Sequence, residues 1–409
     1  MKASGTGRGA LVRDVLLVAL SSILTFELLR NFVADRYLVP TDSMQPTLYG
    51  DPARGDHVLV DKLSRSSGLR VHDLVVIRRS ESPVRLLVKR VAALGDDIDR
   101  CYVALRDGDL WSGPDAQHLA RDRKHPLEDR DLRVTWIEFP PPSGPPTVEG
   151  FLRPARSFEG GSRLSGILAT DQEILDAIAA DRRARALPPG TLPDGWQGTA
   201  SSVDTSFLDA RGVRRGPEGM AVTDCGAEIE LEDPVDIEGF ALCLELSLDQ
   251  YCWIVRDAVR FYRNGQPIGE PIPAGQLPTR VEFGFLDGSF FLILGDLLVD
   301  WRPRPSSWVS PALPEAKPRP RNALAWRVLG RGSAALRRVR IFRDLWYGIE
   351  RAYDREQVSY VPPGMAYLLG DNSFDSDDSR LHGPFSLADY VGRPRLVLGP
   401  YPRWKWLSR

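Results

Sequence analysis

Phe240, Leu242, Leu244, Leu246 and Leu248 occupy alternate positions along one short segment. Apolar residues repeating every two positions line one face of a strand, whereas a helix face repeats at about 3.6. Val281, Phe283 and Phe285 repeat the pattern, Asp287-Gly288 supplies a two-residue hairpin signal, and Phe290–Leu294 reads as the return strand. Val339, Ile341 and the Trp346-Tyr347 pair close the region. Short strands at regular spacing predict a β-sandwich over 200–347. A chain of 409 residues exceeds one small domain and suggests two.

The preceding stretch, 112–199, is rich in loop signals. Pro140-Pro141-Pro142-Ser143-Gly144-Pro145-Pro146 reads as a stiff, turn-rich connector. Thr170-Asp171-Gln172-Glu173 is a capping box, and Ile174, Ala177 and Ile178 follow at helical spacing, which predicts one short helix. Arg182, Arg183 and Arg185 suit its C-terminal end and are read as solvated.

Near the N-terminus, Val15–Phe26 is a twelve-residue run without charge, between Arg13-Asp14 and Glu27. A spanning helix needs roughly 20 apolar residues, so this run spans only by carrying Arg13, Asp14, Glu27 and Arg30 near its ends. A cleavable signal peptide fits the length, but no small-x-small site precedes Pro40, and Phe32-Val33-Ala34 is too bulky. The expectation is an uncleaved single-pass anchor within residues 1–34. Lys2, Arg8 and Arg13 precede it, which puts the N-terminus in the cytoplasm and the bulk of the chain on the export side of the cytoplasmic membrane.

Four boxes follow the apolar run. The first is Pro40-Thr41-Asp42-Ser43-Met44-Gln45-Pro46-Thr47-Leu48, and the second is Arg70-Val71-His72-Asp73-Leu74-Val75-Val76. The third is Leu86-Leu87-Val88-Lys89-Arg90-Val91. The fourth is Leu369-Gly370-Asp371-Asn372, continued by Ser376-Asp377-Asp378-Ser379-Arg380, Gly383 and Val391-Gly392-Arg393. Serine and lysine in this setting make a chemical pair. A serine hydroxyl is a weak nucleophile until a base takes its proton. Lysine is such a base only when neutral, so its usual pKa of about 10.4 must fall, which apolar burial can achieve. Leu87, Lys89 and Val91 share one face of a strand, a dry setting for an amine, while Arg90 faces the other way, solvated or salt-bridged.

In this order the boxes resemble the type I signal peptidases, Ser/Lys proteases that remove export signals. The resemblance covers roughly 10–110 and 350–409. It implies that Ser43 is the nucleophile and Lys89 the general base. The Ser43 N–H and the Thr41 hydroxyl would form the oxyanion hole. Ser376 would orient the lysine, Asp378 and Arg380 would form a supporting ion pair, and Asp371 and Asn372 would hold the turn of the last box. Ser373, Asp375 and Asp377 read instead as water-exposed turn residues. The sequence departs from the family pattern at Ala93-Leu94-Gly95-Asp96, which lacks a proline and one glycine. Ser373 stands where arginine is usual and His72 where glycine is usual. The first departure puts the turn after the base strand in doubt.

Other classes have less support. Net charge is −2, which gives no nucleic-acid footprint. Five His and four Cys show no zinc spacing. Asp371, Ser373, Asp375 and Asp377 fail as a calcium loop, because Ser376 and His382 occupy the positions that want Gly and Glu. Cys225, Cys243 and Cys252 lie close enough in sequence for one bridge of unknown pairing, with Cys101 remote. No metal or other cofactor is implied.

The expected fold is mainly β: an N-terminal membrane anchor and a signal-peptidase-type β core split by an inserted β-sandwich, weakly similar to laminin-G or concanavalin-like jelly rolls. The boundaries are 1–34 for the cytoplasmic N-terminus and anchor, 35–111 and 348–409 for the core, 112–199 for the connector and 200–347 for the sandwich. The family implies an exported preprotein substrate with small residues at the first and third positions before the cut. Membrane lipid is a further expected partner, as is a glycan or protein ligand of the sandwich. Two alternatives are a self-cleaving repressor-type Ser/Lys protease, which would want a DNA-binding N-terminal domain, and a membrane-anchored surface binding protein with an inactive core.

Overall fold

The computed structural model describes residues 6–64, 66–79, 85–106, 108–139, 171, 175, 197–201, 207–208, 214–216, 222–232, 237–246, 249–308, 322–330, 335–348, 358–401 and 403–407. The Pro140–Pro146 connector, Arg182–Arg185, Leu248 and most of the 170–178 helix lie outside the described residues, although Asp171 and Leu175 are helical. The chain divides into two compact units, Met1–Ala120 with Tyr347–Arg409, and Arg121–Trp346.

In the first unit, β1 (Ala34–Leu38), β2 (His57–Asp61), β3 (Leu74–Arg79) and β4 (Arg85–Leu94) join three strands from the end of the chain. The sheet order is β1, β2, Tyr390–Gly399, β3, β4, Met365–Leu369, Phe385–Ser386. Every neighbouring pair is antiparallel. Alternation sorts the side chains by face. Leu74 and Val76, with the partly buried Leu86 and Val88, join a cluster containing Met44, Leu48, Val58 and Val60. Val75, Ile77 and Val91, with Leu87, join another containing Ala366 and Leu368. A one-residue slip would exchange these faces, so the register Val75↔Lys89 and Leu369↔Arg90 is fixed by burial.

The second unit carries two antiparallel sheets. One runs Leu297–Pro303, Ser289–Leu294, Arg280–Leu286, Cys225–Glu232, Ala335–Arg343, Val134–Phe139. The other runs Gln266–Pro267, Ala258–Arg263, Asp249–Val255, Ile237–Leu246, Asn322–Gly330, Gln197–Ser201. One core cluster draws on both: Ala227, Ile229, Phe283 and Phe290 from the first, Phe240, Leu242, Trp253 and Phe261 from the second. The Asp287-Gly288 hairpin has positive φ at both residues, 46° and 78°, as a type I′ turn requires. Asn264-Gly265 repeats this at 50° and 81° and was not anticipated. Val134–Phe139 departs from the expected connector, since it is an edge strand paired with Ala335–Arg343. Its partner lies some 200 positions away, so no local pattern marks it.

Cys243 and Cys252 form a disulfide across directly paired positions of neighbouring strands. Cys101 and the buried Cys225 are free thiols.

Helix α1 runs Thr6–Phe32. Among the described residues no helix is long and apolar enough to cross a membrane, which corrects the expected anchor. The reason lies in the flanking charges. Twelve uncharged helical residues cover about 18 Å at 1.5 Å each, well short of a hydrocarbon core about 30 Å thick.

Candidate active site

Ser43 lies in a short 3-10 turn, Asp42–Met44, entered from an extended Thr41. The turn is fastened on both sides. Met44 and Leu48 are fully buried, so the segment is anchored in the core by its apolar residues. On the polar side, Asn372 N–H donates to the Ser43 carbonyl at 3.0 Å and Asn372 Nδ2 donates to the Asp42 carbonyl at 3.2 Å. The first and last boxes, more than 300 residues apart in sequence, therefore make one turn-on-turn contact.

Lys89 comes to the same point from β4. Its Nζ lies 3.0 Å from Ser43 Oγ and 3.1 Å from Ser376 Oγ, and the residue is 2% exposed. Burial pulls its pKa below the ordinary lysine value. Asp378, Asp377 and Asp371 oppose that shift through their charges, while Arg380 reinforces it. A serine hydroxyl, a buried amine of lowered basicity and a second hydroxyl thus form a continuous hydrogen-bonded row. Thr41 Oγ1 stands 3.4 Å from Ser43 Oγ, on the exposed side of the turn.

Behind Ser376 is a buried ion pair. Arg380 Nε and Nη2 donate to the two Asp378 oxygens at 2.9 and 2.7 Å, a fork-on-fork geometry. Asp378 also accepts from the Gly370 and Arg380 N–H groups at 2.9 and 3.1 Å. Burial pushes the Asp378 carboxyl up, but the Arg380 bonds and charge, with Gly370 and Ser376, outweigh it and hold the group below the usual carboxylate range. It therefore stays ionised beside the lysine.

Arg90, expected to be solvated or salt-bridged, is salt-bridged and 1% exposed. Its Nε and Nη2 donate to Asp371 at 2.8 and 2.6 Å, and its Nη1 donates to the His72 carbonyl at 2.8 Å. Thr47 Oγ1 donates to Asp371 Oδ2 at 2.5 Å. Asp371 thus links the Ser43 loop to the strand that carries Lys89. Sequence reasoning missed Thr47, and only its membership of the first box could have signalled it.

All eight sequence-predicted site residues, Ser43, Lys89, Thr41, Ser376, Asp378, Arg380, Asp371 and Asn372, meet in this region. Of the three residues read as exposed, Asp375 and Asp377 are exposed, but Ser373 is 4% exposed. Ser373 Oγ accepts from Gly348 N–H at 2.6 Å and from Arg380 Nη1 at 2.5 Å, so it takes part in holding the last box. The doubtful turn after β4 is well tied: Gly95 N–H donates to Met365 O at 2.9 Å, and a Cβ at Gly95 would fall 1.7 Å from the Pro362 carbonyl oxygen. His72 has φ 74°, the left-handed region where glycine is usual.

Among the described residues, the Asp224, Asp287 and Asp344 carboxylates of the second unit lie close enough to hold a cation. Lys124 Nζ already donates to Asp344 at 2.6 Å and to Asp287 at 3.1 Å, so a lysine ammonium supplies the positive charge there.

Residues 12–110 and 344–399 match the model of a family described as signal peptidase, peptidase S26. Two curated relatives, the signal peptidase I of Mycobacterium tuberculosis strain CDC 1551 / Oshkosh and that of strain ATCC 25618 / H37Rv, are each 36% identical over 69 residues. The match takes in 16% of this chain and 24% of the length of each relative.

Proposed function

We propose that the chain, whose residues 12–110 and 344–399 match the signal peptidase, peptidase S26, family, is a serine endopeptidase removing signal peptides from exported preproteins. The carrying observation is the buried Lys89 amine 3.0 Å from Ser43 Oγ. In this reading Ser43 attacks the scissile carbonyl while Lys89, neutral, takes the hydroxyl proton and later gives it to the leaving amine. The acyl-enzyme is then hydrolysed by water activated by the same amine. Ser376 holds the amine toward Ser43, and Asp378 with Arg380 holds Ser376. The Ser43 N–H and Thr41 Oγ1 meet the oxyanion, a donor of this kind being typically worth about 2.7–4 kcal/mol in the transition state.

The Cys243–Cys252 disulfide supports placement of the catalytic unit on the export side, since such bonds persist in oxidising compartments. Exposed apolar side chains on α1, among them Leu16, Leu20 and Phe26, support contact with lipid. The shared core of the two sheets supports a β-sandwich inserted in the peptidase core, serving as a spacer or as a site for a glycan or protein ligand.

The test is cleavage of a labelled preprotein by the purified full chain. Ser43→Ala and Lys89→Ala are each expected to abolish cleavage with the fold retained, and the double variant to be little worse than either single. Lys89→Arg is expected to be inactive, because a guanidinium does not deprotonate. Wild-type activity in either alanine variant would remove the Ser/Lys mechanism.

A further inference from the structure

Asp377 sits next to Ser376, the hydroxyl that lies 3.1 Å from Lys89 Nζ, yet its side chain turns outward to a separate set of partners. Arg79 Nη1 donates to Asp377 Oδ2 at 2.9 Å, and His382 Nε2 contacts Asp377 Oδ1. Arg79 Nη1 also lies 3.2 Å from His382 Nε2, so the three side chains form a closed triangle. Its corners come from three elements. Arg79 ends β3, the strand hydrogen-bonded to the one carrying Lys89, and Asp377 belongs to the Ser376 loop. His382 ends the short helix Ser379–His382, which Asp378 caps. Nothing in the last box requires such a triangle, since Asp378 and Arg380 already hold Ser376 from within.

We propose that Asp377, clamped by Arg79 and His382, is a positioning residue that sets the pH range over which the Lys89 amine serves Ser43. The inference rests on the Ser43–Lys89 reading above and deepens it. Among the described residues, four charged groups weigh most on Lys89. Asp378 is met by the Arg380 fork and Asp371 by the Arg90 fork, both nearly sealed from water. Arg380 itself is the third. Asp377 is the fourth and differs from the other carboxylates, because its side chain is 56% exposed and its neutralising partners Arg79 and His382 are only partly buried, at 19% and 35% exposed. A bare carboxylate at this place would favour the charged ammonium and delay its deprotonation to higher pH. Arg79, donating to Asp377 Oδ2, offsets that field. The two forks are built into the folded core, so the triangle is the adjustable part of the field around the lysine. Consistent with the clamp, the Asp377 carboxyl lies below its ordinary pKa: burial pushes it up, and His382 and Arg79 outweigh that.

The signs follow directly. Removing the Asp377 charge lets Lys89 lose its proton more readily, and the rising limb of the rate profile moves to lower pH. Removing Arg79 exposes the carboxylate, and the limb moves to higher pH. The experiment is the pH dependence of kcat/KM for full-length wild-type, Asp377→Asn, Asp377→Glu, Arg79→Gln and the Arg79→Gln/Asp377→Asn double variant, on one labelled preprotein. Asp377→Asn should shift the limb down by roughly half a pH unit, the scale of one partly screened charge. Arg79→Gln should shift it up by a similar amount, Asp377→Glu should stay near wild type, and the double variant, which loses both opposing charges, should also lie near wild type. In 1 M salt these differences should shrink, whereas a purely mechanical role would leave them unscreened. A limb that stays put in both single variants, or moves the same way in both, overturns the proposal. Loss of cleavage in Ser43→Ala, measured alongside, separates this result from failure of the Ser/Lys reading itself, which would show as Ser43-independent cleavage or none in wild type.

Discussion

Gly370→Ala tests whether the serine and lysine are held by close backbone approach. A Cβ built on Gly370 would fall 2.1 Å from Ser376 Oγ, 2.6 Å from Ser376 Cβ and 2.6 Å from the Ser43 carbonyl oxygen. Ordinary contacts of a Cβ lie at 3.4–4 Å, so the neighbours must retreat by around an ångström on two sides. One side is the backbone of the serine itself, and the other is the Ser376 hydroxyl that accepts from the Lys89 amine at 3.1 Å. Displacements of about 1 Å at reacting groups cost on the order of 10²-fold in rate, or about 2.7 kcal/mol at 1.36 kcal/mol per decade. Overpacking adds roughly 1–3 kcal/mol of destabilisation, offset in part by about 0.4–1 kcal/mol from the stiffer unfolded chain. The expected result is therefore kcat/KM reduced about a hundredfold, with a folded protein whose thermal midpoint falls by only a few degrees. Steady-state kinetics on a labelled preprotein, paired with circular-dichroism melting, reads both numbers. Adding Ser376→Gly removes two of the three close contacts but not the Ser43 oxygen, so it should not restore activity. Parent-like kcat/KM with an unchanged melting point in Gly370→Ala would refute the close-approach argument.

The activity of wild type should rise with pH through a limb well below the free-lysine range, because burial depresses the Lys89 pKa and only the neutral amine can accept the serine proton; a flat profile with chemistry rate-limiting would contradict this. Asp371→Asn leaves the Arg90 guanidinium buried without its carboxylate and should destabilise the fold by about 3–5 kcal/mol in chemical denaturation. At position 72, with φ 74°, His72→Val should be less stable than His72→Gly by about 1–2 kcal/mol, since both lose the imidazole and only valine strains the backbone. Replacing Cys243 and Cys252 by alanine opens a loop of sequence separation 9 and should cost about 2–3 kcal/mol, measured as a lowered denaturation midpoint.

The strands of the second unit were legible because burial on one face imposes a period of two on the sequence, and Phe240–Leu246 and Val281–Phe285 carry it plainly. Asp287-Gly288 was legible because few residue pairs accept two positive φ angles in succession. The strand at Val134–Phe139 was not, since its hydrogen-bond partner at Ala335–Arg343 is distant in the chain and an edge strand needs little pattern of its own. The anchor reading stretched a twelve-residue run past charges that the helix cannot shed.

For the site, the sequence by itself determined the residue types: a serine in a Pro-flanked loop, a lysine on an apolar strand face, and an Asn, Ser, Asp and Arg cluster near the C-terminus. Their chemistry names a nucleophile, a base and supporting polar groups before any coordinates are known. Only the tertiary structure decided how they act together. The Lys89–Ser43 and Lys89–Ser376 contacts, the sealed Arg90–Asp371 fork, the close approach of Gly370 to Ser43 and the Arg79 arm of the clamp on Asp377 join segments separated by tens to hundreds of residues, while the Asp378–Arg380 fork closes within the last box. Such contacts depend on strand register and on which groups lose their water, and both are properties of the packed sheet rather than of any local run of the chain.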